Sequence, residues 1–536
     1  MGNQLQSLDY AVFLIYFVIV SGYGYWIYQR KKSAVTNAND FFLAEGALTW
    51  WAIGASLIAS NISAEQFVGM SGSGFAMGLA IASYEWMAAL TLIVVAVFFM
   101  PGYISNKIFT MPQFLEKRYS PLVATMMAVF WLLVYVFVNL TSILYLGAIA
   151  VSTISGFSFT ACASFLAIFA IIITLGGMKV IGYTDVIQVA ILVLGGLATT
   201  YLALNLVADQ FGGGGMIAGL GQLRKAAPEH FHMIFDKSNA YYKDLPGLTV
   251  LIGAMWIANL NYWGCNQYIT QRALGANIET ARTGLLFASF LKLMMPIIVV
   301  IPGIAAYVLH KNGMFQAEMM NAAGEVKPDR AYPVLLNLLG PGLKGLSFAA
   351  LTAAIVASLA GKANSIATIF TLDLYKKYMN KEAGEDTQVR IGRVAIIVSM
   401  IIAILVAPQL QKLEQGFQFI QDFTGLISPG VVAIFLLGFF WKRATANAAL
   451  VAALLTIPLG LGIKTMMPDV PFLDRMGWVF IILVALMAVI SLADPKSKNN
   501  PKAMQVDTNM FRTSQTFAIG ALLIIGILAA LYIVFW

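Results

Sequence analysis

Asn61, Ser63, Glu65 and Gln66 fall within six residues, in the middle of the otherwise apolar stretch Ala55 to Gly74. Amides, a hydroxyl and a carboxylate at that spacing can hydrogen-bond a neutral polar solute. Backbone carbonyls freed beside them would suit a hard cation, which takes oxygen ligands. Inside a bilayer such groups are costly, because hydrocarbon offers no hydrogen-bond partner. Two readings follow. The polar face of an intact helix could pack against its neighbours, or the helix could break and hold a solute and an ion at the midplane. The broken helix is the expectation. A second interruption lies in the run from Ile257 to Tyr268, where Asn259, Asn261, Asn266 and Gln267 surround Gly264. Lys292, in Phe-Leu-Lys-Leu-Met-Met-Pro, sits near mid-span and needs a polar neighbour or water. Lys362, nearer the inner end, could snorkel.

The elements that must position these groups are membrane helices. The chain has 536 residues, 60% hydrophobic and 11% charged, against about 45–50% and about 25% in soluble domains. Apolar windows of about 20 residues mark fourteen spans, centred near 19, 60, 92, 135, 168, 194, 256, 296, 360, 400, 427, 453, 485 and 526. If the first span runs inward, 20 of the 33 Lys and Arg fall in cytoplasmic loops, among them Arg118, Arg272, Arg282, Lys376 and Lys377. Most basic residues opposite lie in or beside two long loops, which count little in the positive-inside rule. Both termini are therefore expected outside. Met-Gly-Asn-Gln-Leu lacks the basic start of a signal peptide, so the first span is expected to remain as an anchor.

The two interruptions stand five spans apart, and paired interruptions point to a transporter site between repeats. The expected units are a peripheral first helix (9–29), five-helix repeats of opposite orientation (48–207 and 247–441) and three peripheral helices (445–536) within a single transporter domain. The net charge of +8 follows from topology and implies no nucleic acid. Cys162 and Cys265 lie in apolar segments, where neither a disulfide nor a metal site is expected. His230, His232 and His310 are read as loop residues, which removes the usual intramembrane proton carrier. With no nucleophile–base pair or metal cluster, an enzyme is disfavoured. The glycines 212–215 lack the Gly-Lys-Ser/Thr of a phosphate-binding loop.

Several long motifs carry a family resemblance: Ala-Ser-Asn-Ile-Ser-Ala-Glu-Gln-Phe (59–67), Ala-Ser-Tyr-Glu-Trp-Met (82–87), Tyr-Thr-Asp-Val-Ile-Gln (183–188) and Asn-Tyr-Trp-Gly-Cys-Asn-Gln-Tyr (261–268). Ala-Asn-Ser-Ile-Ala-Thr-Ile-Phe (363–370) and Phe-Gln-Phe-Ile-Gln-Asp-Phe-Thr-Gly (417–425) continue it almost end to end. The chain resembles a sodium:solute symporter of the sodium/glucose branch. The resemblance implies an all-α polytopic membrane protein with a LeuT-type inverted repeat of five plus five helices within about 14 transmembrane helices. It also implies a bacterial inner membrane.

The same resemblance implies residue roles. Asn61, Gln66, Glu85, Asn259, Lys292 and Gln421 would bind the solute, and Lys292 could pair with Glu85. Tyr262 would be an inner gate stacked on the sugar ring, with Met70, Tyr84 and Phe417 as the outer gate. Without the resemblance these four read as core packing. The carbonyls of Ala59, Ile62 and Ala354 and the Ser358 hydroxyl would hold sodium where the second span meets the ninth. Ala357 stands where the family commonly has another serine. Asp185 would lie on the sodium exit route, or else cap a helix with Thr184. Ala88 stands where a close member of the branch carries a serine. The expected activity is secondary transport coupling inward sodium movement to hexose uptake. The alternative is a sodium- or proton-coupled symporter of another neutral solute such as a polyol. No cofactor beyond the coupling ion, and no obligate protein partner, is expected.

Overall fold

The computed structural model describes residues 5–30, 48–63, 65–176, 178–320, 324–412 and 416–536, without the side chains at 28, 30, 178, 179, 411, 412 and 416–419. The described chain is helical, with one isolated bridge between Met320 and Val326. Ten of its helices are long and apolar enough to cross a membrane, from Ser7–Ile27 to Gln515–Val534. Phe159–Thr174 and Ser428–Phe440 are shorter apolar helices. Burial sorts them: the best window of Leu343–Met379 is 89% buried, whereas those of Ser7–Ile27 and Gln515–Val534 are 22% buried. Central helices need protein on all sides, and peripheral ones turn Leu, Ile and Val outward, as a lipid-facing surface allows.

Eight helices build the site. In chain order they are α1 (Trp50–Asn61), α2 (Ser83–Val94), α3 (Met178–Gln210), α4 (Met255–Gly264), α5 (Gln267–Leu274), α6 (Ile278–Lys311), α7 (Leu343–Thr368) and α8 (Gly416–Gly425). Both sequence interruptions are breaks in the helix. α1 ends at Asn61 with Ile62 extended, and the chain resumes in wide π-helical turns at Glu65–Met70. α4 ends at Gly264, Asn266 is extended, and its side chain caps the restart by accepting from the Tyr268 amide at 3.1 Å.

Small residues set the register between α1 and α6. A Cβ on Gly54 would lie 2.8 Å from the Gly284 carbonyl, so the two backbones nearly touch. Two turns further along both helices, Asn61 faces Lys292. On the other flank of α6, the Ser289 hydroxyl donates to the Ala89 carbonyl of α2 at 2.7 Å. One turn on, that antiparallel pairing brings Lys292 opposite Glu85.

Several expectations are corrected. Lys362 does not snorkel: it is 3% exposed, because its helix is enclosed and its ammonium lies 3.8 Å from the centre of the Tyr268 ring. Arg118, Arg272 and Arg282 are buried rather than loop residues. Arg118 donates to the carbonyls of Gly438, Trp441 and Ala444, oxygens at or beyond a helix end that five guanidinium donors can satisfy together. His310 lies in the last turn of α6, and His230 is buried in a short turn, Pro228–Phe231, stacked 4.0 Å from the Tyr307 ring. Burial holds the His230 imidazole below its ordinary pKa.

Candidate solute and cation sites

Asn61, Gln66, Glu85, Asn259, Lys292 and Gln421 line one cavity of about 110 Å³. Lys292 organises its centre. Its ammonium is 1% exposed, lies 2.5 Å from Glu85 Oε2, and also donates to Asn61 Oδ1. It lies 5.3 Å from the Trp263 ring. Two charges this deep persist only with close geometry and further hydrogen bonds, and the amide and ring supply both.

The remaining amides divide by what they already hold. Gln66 Oε1 accepts from the Ser63 amide at 3.0 Å, which ties down the break after α1 and leaves its NH₂ for the cavity. Asn259 Nδ2 donates one turn back to the Met255 carbonyl at 3.0 Å, leaving an acceptor. Gln421, on α8, has the Thr424 hydroxyl beside it at 3.4 Å. The cavity thus combines donors, acceptors and a fixed ion pair with aromatic rings. Such walls suit a neutral hydroxylated ring, whose hydroxyls both donate and accept.

Met70, Tyr84 and Tyr262 also line this cavity. Tyr262 lies beside Asn61 in this wall. Phe417, the other expected gate, has a side chain outside the described residues. Ala88 lines the wall and brings no hydroxyl. Trp131, Tyr135, Asn139 and Asn261 line it too, and of these the sequence reading had marked only Asn261, as part of the second interruption. The first three sit at helical spacing in an apolar helix and read as core; Asn261 donates to the Ser428 hydroxyl at 2.9 Å.

The four expected sodium residues lie outside the cavity wall. Ala59, Ile62, Ala354 and Ser358 are all buried. The Ser358 hydroxyl donates to the Ser60 carbonyl at 2.8 Å and meets the Ala59 carbonyl at 3.3 Å. The Tyr268 hydroxyl also donates to the Ser60 carbonyl. Ser60 was not anticipated; nothing in a serine's identity says that its carbonyl will face another helix. Carbonyls and a hydroxyl without formal charge form a set fit for a hard monovalent cation.

Asp185 stands apart from both groups. It lies well inside α3, so the helix-cap reading fails, and Thr184 bonds back to the Val180 carbonyl at 2.9 Å. The Ser56 hydroxyl donates to Asp185 Oδ2 at 2.6 Å and accepts from Arg272 Nε at 2.9 Å. Arg272 in turn lies over the Tyr268 ring. A buried chain of contacts therefore runs from Asp185 through Ser56, Arg272 and Tyr268 to the Ser60 carbonyl.

Broken helices around a polar cavity inside a helical membrane bundle define a secondary transporter. Comparison with known proteins agrees. Residues 41–456 match the profile of the sodium:solute symporter family, and the chain belongs to that family. A sodium/glucose cotransporter of Vibrio parahaemolyticus is 48% identical over 541 residues, covering 100% of this chain and 99% of the relative. A sodium/myo-inositol cotransporter 2 of Sus scrofa is 34% identical over 487 residues, covering 86% of this chain and 70% of the relative. The fold is similar to that of a Na⁺-coupled sialic acid symporter solved in a substrate-bound outward-open state. That comparison has a TM-score of 0.78 at 21% identity, covering 91% of this chain and 98% of the other. The chain is a multi-pass membrane transporter, not an enzyme.

Proposed function

We propose that this protein couples inward sodium movement to uptake of a hexose by alternating access. One observation carries the reading: Lys292, Glu85 and Asn61 lock together in a cavity lined by further amides and Tyr262. Asn61, Gln66, Glu85, Asn259, Lys292 and Gln421 bind the solute. Tyr262 closes the inner side, and Met70, Tyr84 and Phe417 the outer. Sodium sits among the carbonyls of Ala59, Ile62 and Ala354 and the Ser358 hydroxyl, and leaves past Asp185.

Around this site we infer two inverted five-helix repeats, 48–207 and 247–441, flanked by 9–29 and 445–536, in fourteen spans. Both termini face outward across a bacterial inner membrane. The breaks after Asn61 and Gly264, five spans apart, support that arrangement.

A polyol such as myo-inositol is the second reading. The myo-inositol relatives favour it, and a described cavity wall with two lysines, two glutamates and no arginine suits a neutral polyol over a carboxylate. Uptake of labelled glucose, galactose and myo-inositol into proteoliposomes, with sodium or choline, tests both. Sodium-dependent hexose accumulation is expected. Equal rates in choline, with accumulation driven by a proton gradient alone, would overturn sodium coupling.

A further inference from the structure

α5, the arm of the second broken helix beyond Gly264, is buried at every position, yet Gln267, Thr270, Gln271 and Arg272 are polar. Apolar burial holds such a segment weakly, so its side-chain hydrogen bonds must do much of the holding. Gln267 makes the most telling set. Its Oε1 accepts from the Met111 amide at 2.8 Å, and its Nε2 donates to the Phe109 carbonyl at 3.3 Å and to Gln271 Oε1 at 3.1 Å. On the other side of the break, the Tyr103 hydroxyl donates to the Gly264 carbonyl at 2.7 Å. Both ties come from one hairpin, Met100–Ser105 followed by Met111–Arg118. The Thr110 hydroxyl fastens that hairpin to the extension of α7, donating to Asp373 Oδ1 at 3.2 Å. Neither the solute set nor the cation set uses Gln267 or Tyr103.

The hairpin carries Lys107, Lys117 and Arg118, which the positive-inside rule puts on the inner face. α5 in turn carries Tyr268, whose hydroxyl donates to the Ser60 carbonyl beside the cation set. When a polar arm leaves its partners for water, each hydrogen bond is exchanged for another, at a small net cost per bond. An apolar arm of the same burial would pay for every side chain exposed.

We propose that the hairpin 100–118 is an inner latch of the transport cycle, with Gln267 as its positioning residue. The hairpin holds α5 shut beneath the cavity, and exchange of the Gln267 and Gly264 hydrogen bonds for water opens the cavity to the inner face. α5 takes the Tyr268 hydroxyl away from the Ser60 carbonyl as it moves, so the same step loosens the cation set. The inference rests on the proposed function for alternating access and for which side is inner.

Cys265, 0% exposed, sits in the break between Gly264 and Asn266 and reports on the latch directly. A Cys162→Ala background leaves it as the one thiol of the chain. A membrane-impermeant maleimide is offered to right-side-out and inside-out vesicles carrying that background alone, with Gln267→Met, or with Tyr103→Phe. Each rate is divided by that of the same chain unfolded in detergent, which removes local effects on thiol reactivity. The expected inner-face rate rises about tenfold with Gln267→Met and about threefold with Tyr103→Phe, and the outer-face rate stays within about twofold; tenfold is about 1.4 kcal/mol, the scale of one net hydrogen bond. Tyr103→Phe keeps the ring and carries the result where Gln267→Met fails to accumulate. Equal gains on both faces, the mark of general loosening, overturn the latch, as does a gain confined to the outer face or no gain in either variant. Alkylation needs neither solute nor sodium, so wild-type vesicles that fail to accumulate hexose with sodium overturn the proposed function while the comparison between variants still stands.

Discussion

Lys292 and Lys362 line one cavity, are almost fully buried, and each lies over aromatic rings, yet they are held differently. Lys292 is gripped by Glu85 at 2.5 Å and by Asn61, on two other helices. Lys362 has one long hydrogen bond to Asn139 and rests mainly on the Tyr268 face. An ammonium held at two of its three donors fixes the geometry of its neighbours, whereas one held at a single long bond does not. The comparison teaches that burial alone does not assign a role to an intramembrane charge. What decides is how many of its hydrogen bonds the protein itself completes.

The largest expected effect comes from breaking the tight end. Removing one partner of a buried pair costs about 3–5 kcal/mol, roughly two to three and a half powers of ten at 1.4 kcal/mol each. Lys292→Ala and Glu85→Gln should each cut sodium-driven uptake at least about 100-fold in proteoliposomes of matched protein content. Retention of a tenth or more by both purified variants would remove the pair from the site.

The partition between the two ends comes next. Ring stacking is worth about 0.5–1.5 kcal/mol and uses the face, not the hydroxyl. Tyr262→Phe should hold uptake within about threefold, while Tyr262→Ala should lose about tenfold or more. Equal losses would shift the weight to the Tyr262 hydroxyl.

The smallest effect concerns the cation beside the cavity. A neutral hydrogen-bond-scale ligand is worth about 1 kcal/mol. Ala357→Ser should therefore lower the sodium concentration for half-maximal uptake severalfold, with choline keeping ionic strength constant. Ser358→Ala, which removes the hydroxyl now bonded to the Ser60 and Ala59 carbonyls, should raise that concentration severalfold. An unchanged half-maximal concentration in Ala357→Ser would mean that this position does not face the ion.

Much of the cavity was legible because polar groups are rare and expensive at membrane depth. Asn61, Gln66, Asn259 and Lys292 declared themselves against an apolar background, and motif resemblance supplied Glu85, Gln421 and the gates. Tyr135, Trp131 and Asn139 were hidden, since aromatics and a single amide at helical spacing look like packing. The loop assignment of Arg272 and the cap reading of Asp185 failed for one reason. Local sequence shows a charge near a span end, but not whether another helix brings Ser56 to join the two.

The sequence by itself determined the membrane environment, the positions of both helix breaks and the family, because these follow from local hydropathy, backbone chemistry and long motifs. Only the tertiary structure decided which carbonyl faces Ser358, which lysine is held by two partners and that Lys362 is enclosed. Those outcomes depend on contacts between residues up to about 300 positions apart, such as Ser358 with Ala59, and the close approach at Gly54 and Gly284 that sets their register is a property of two helices together.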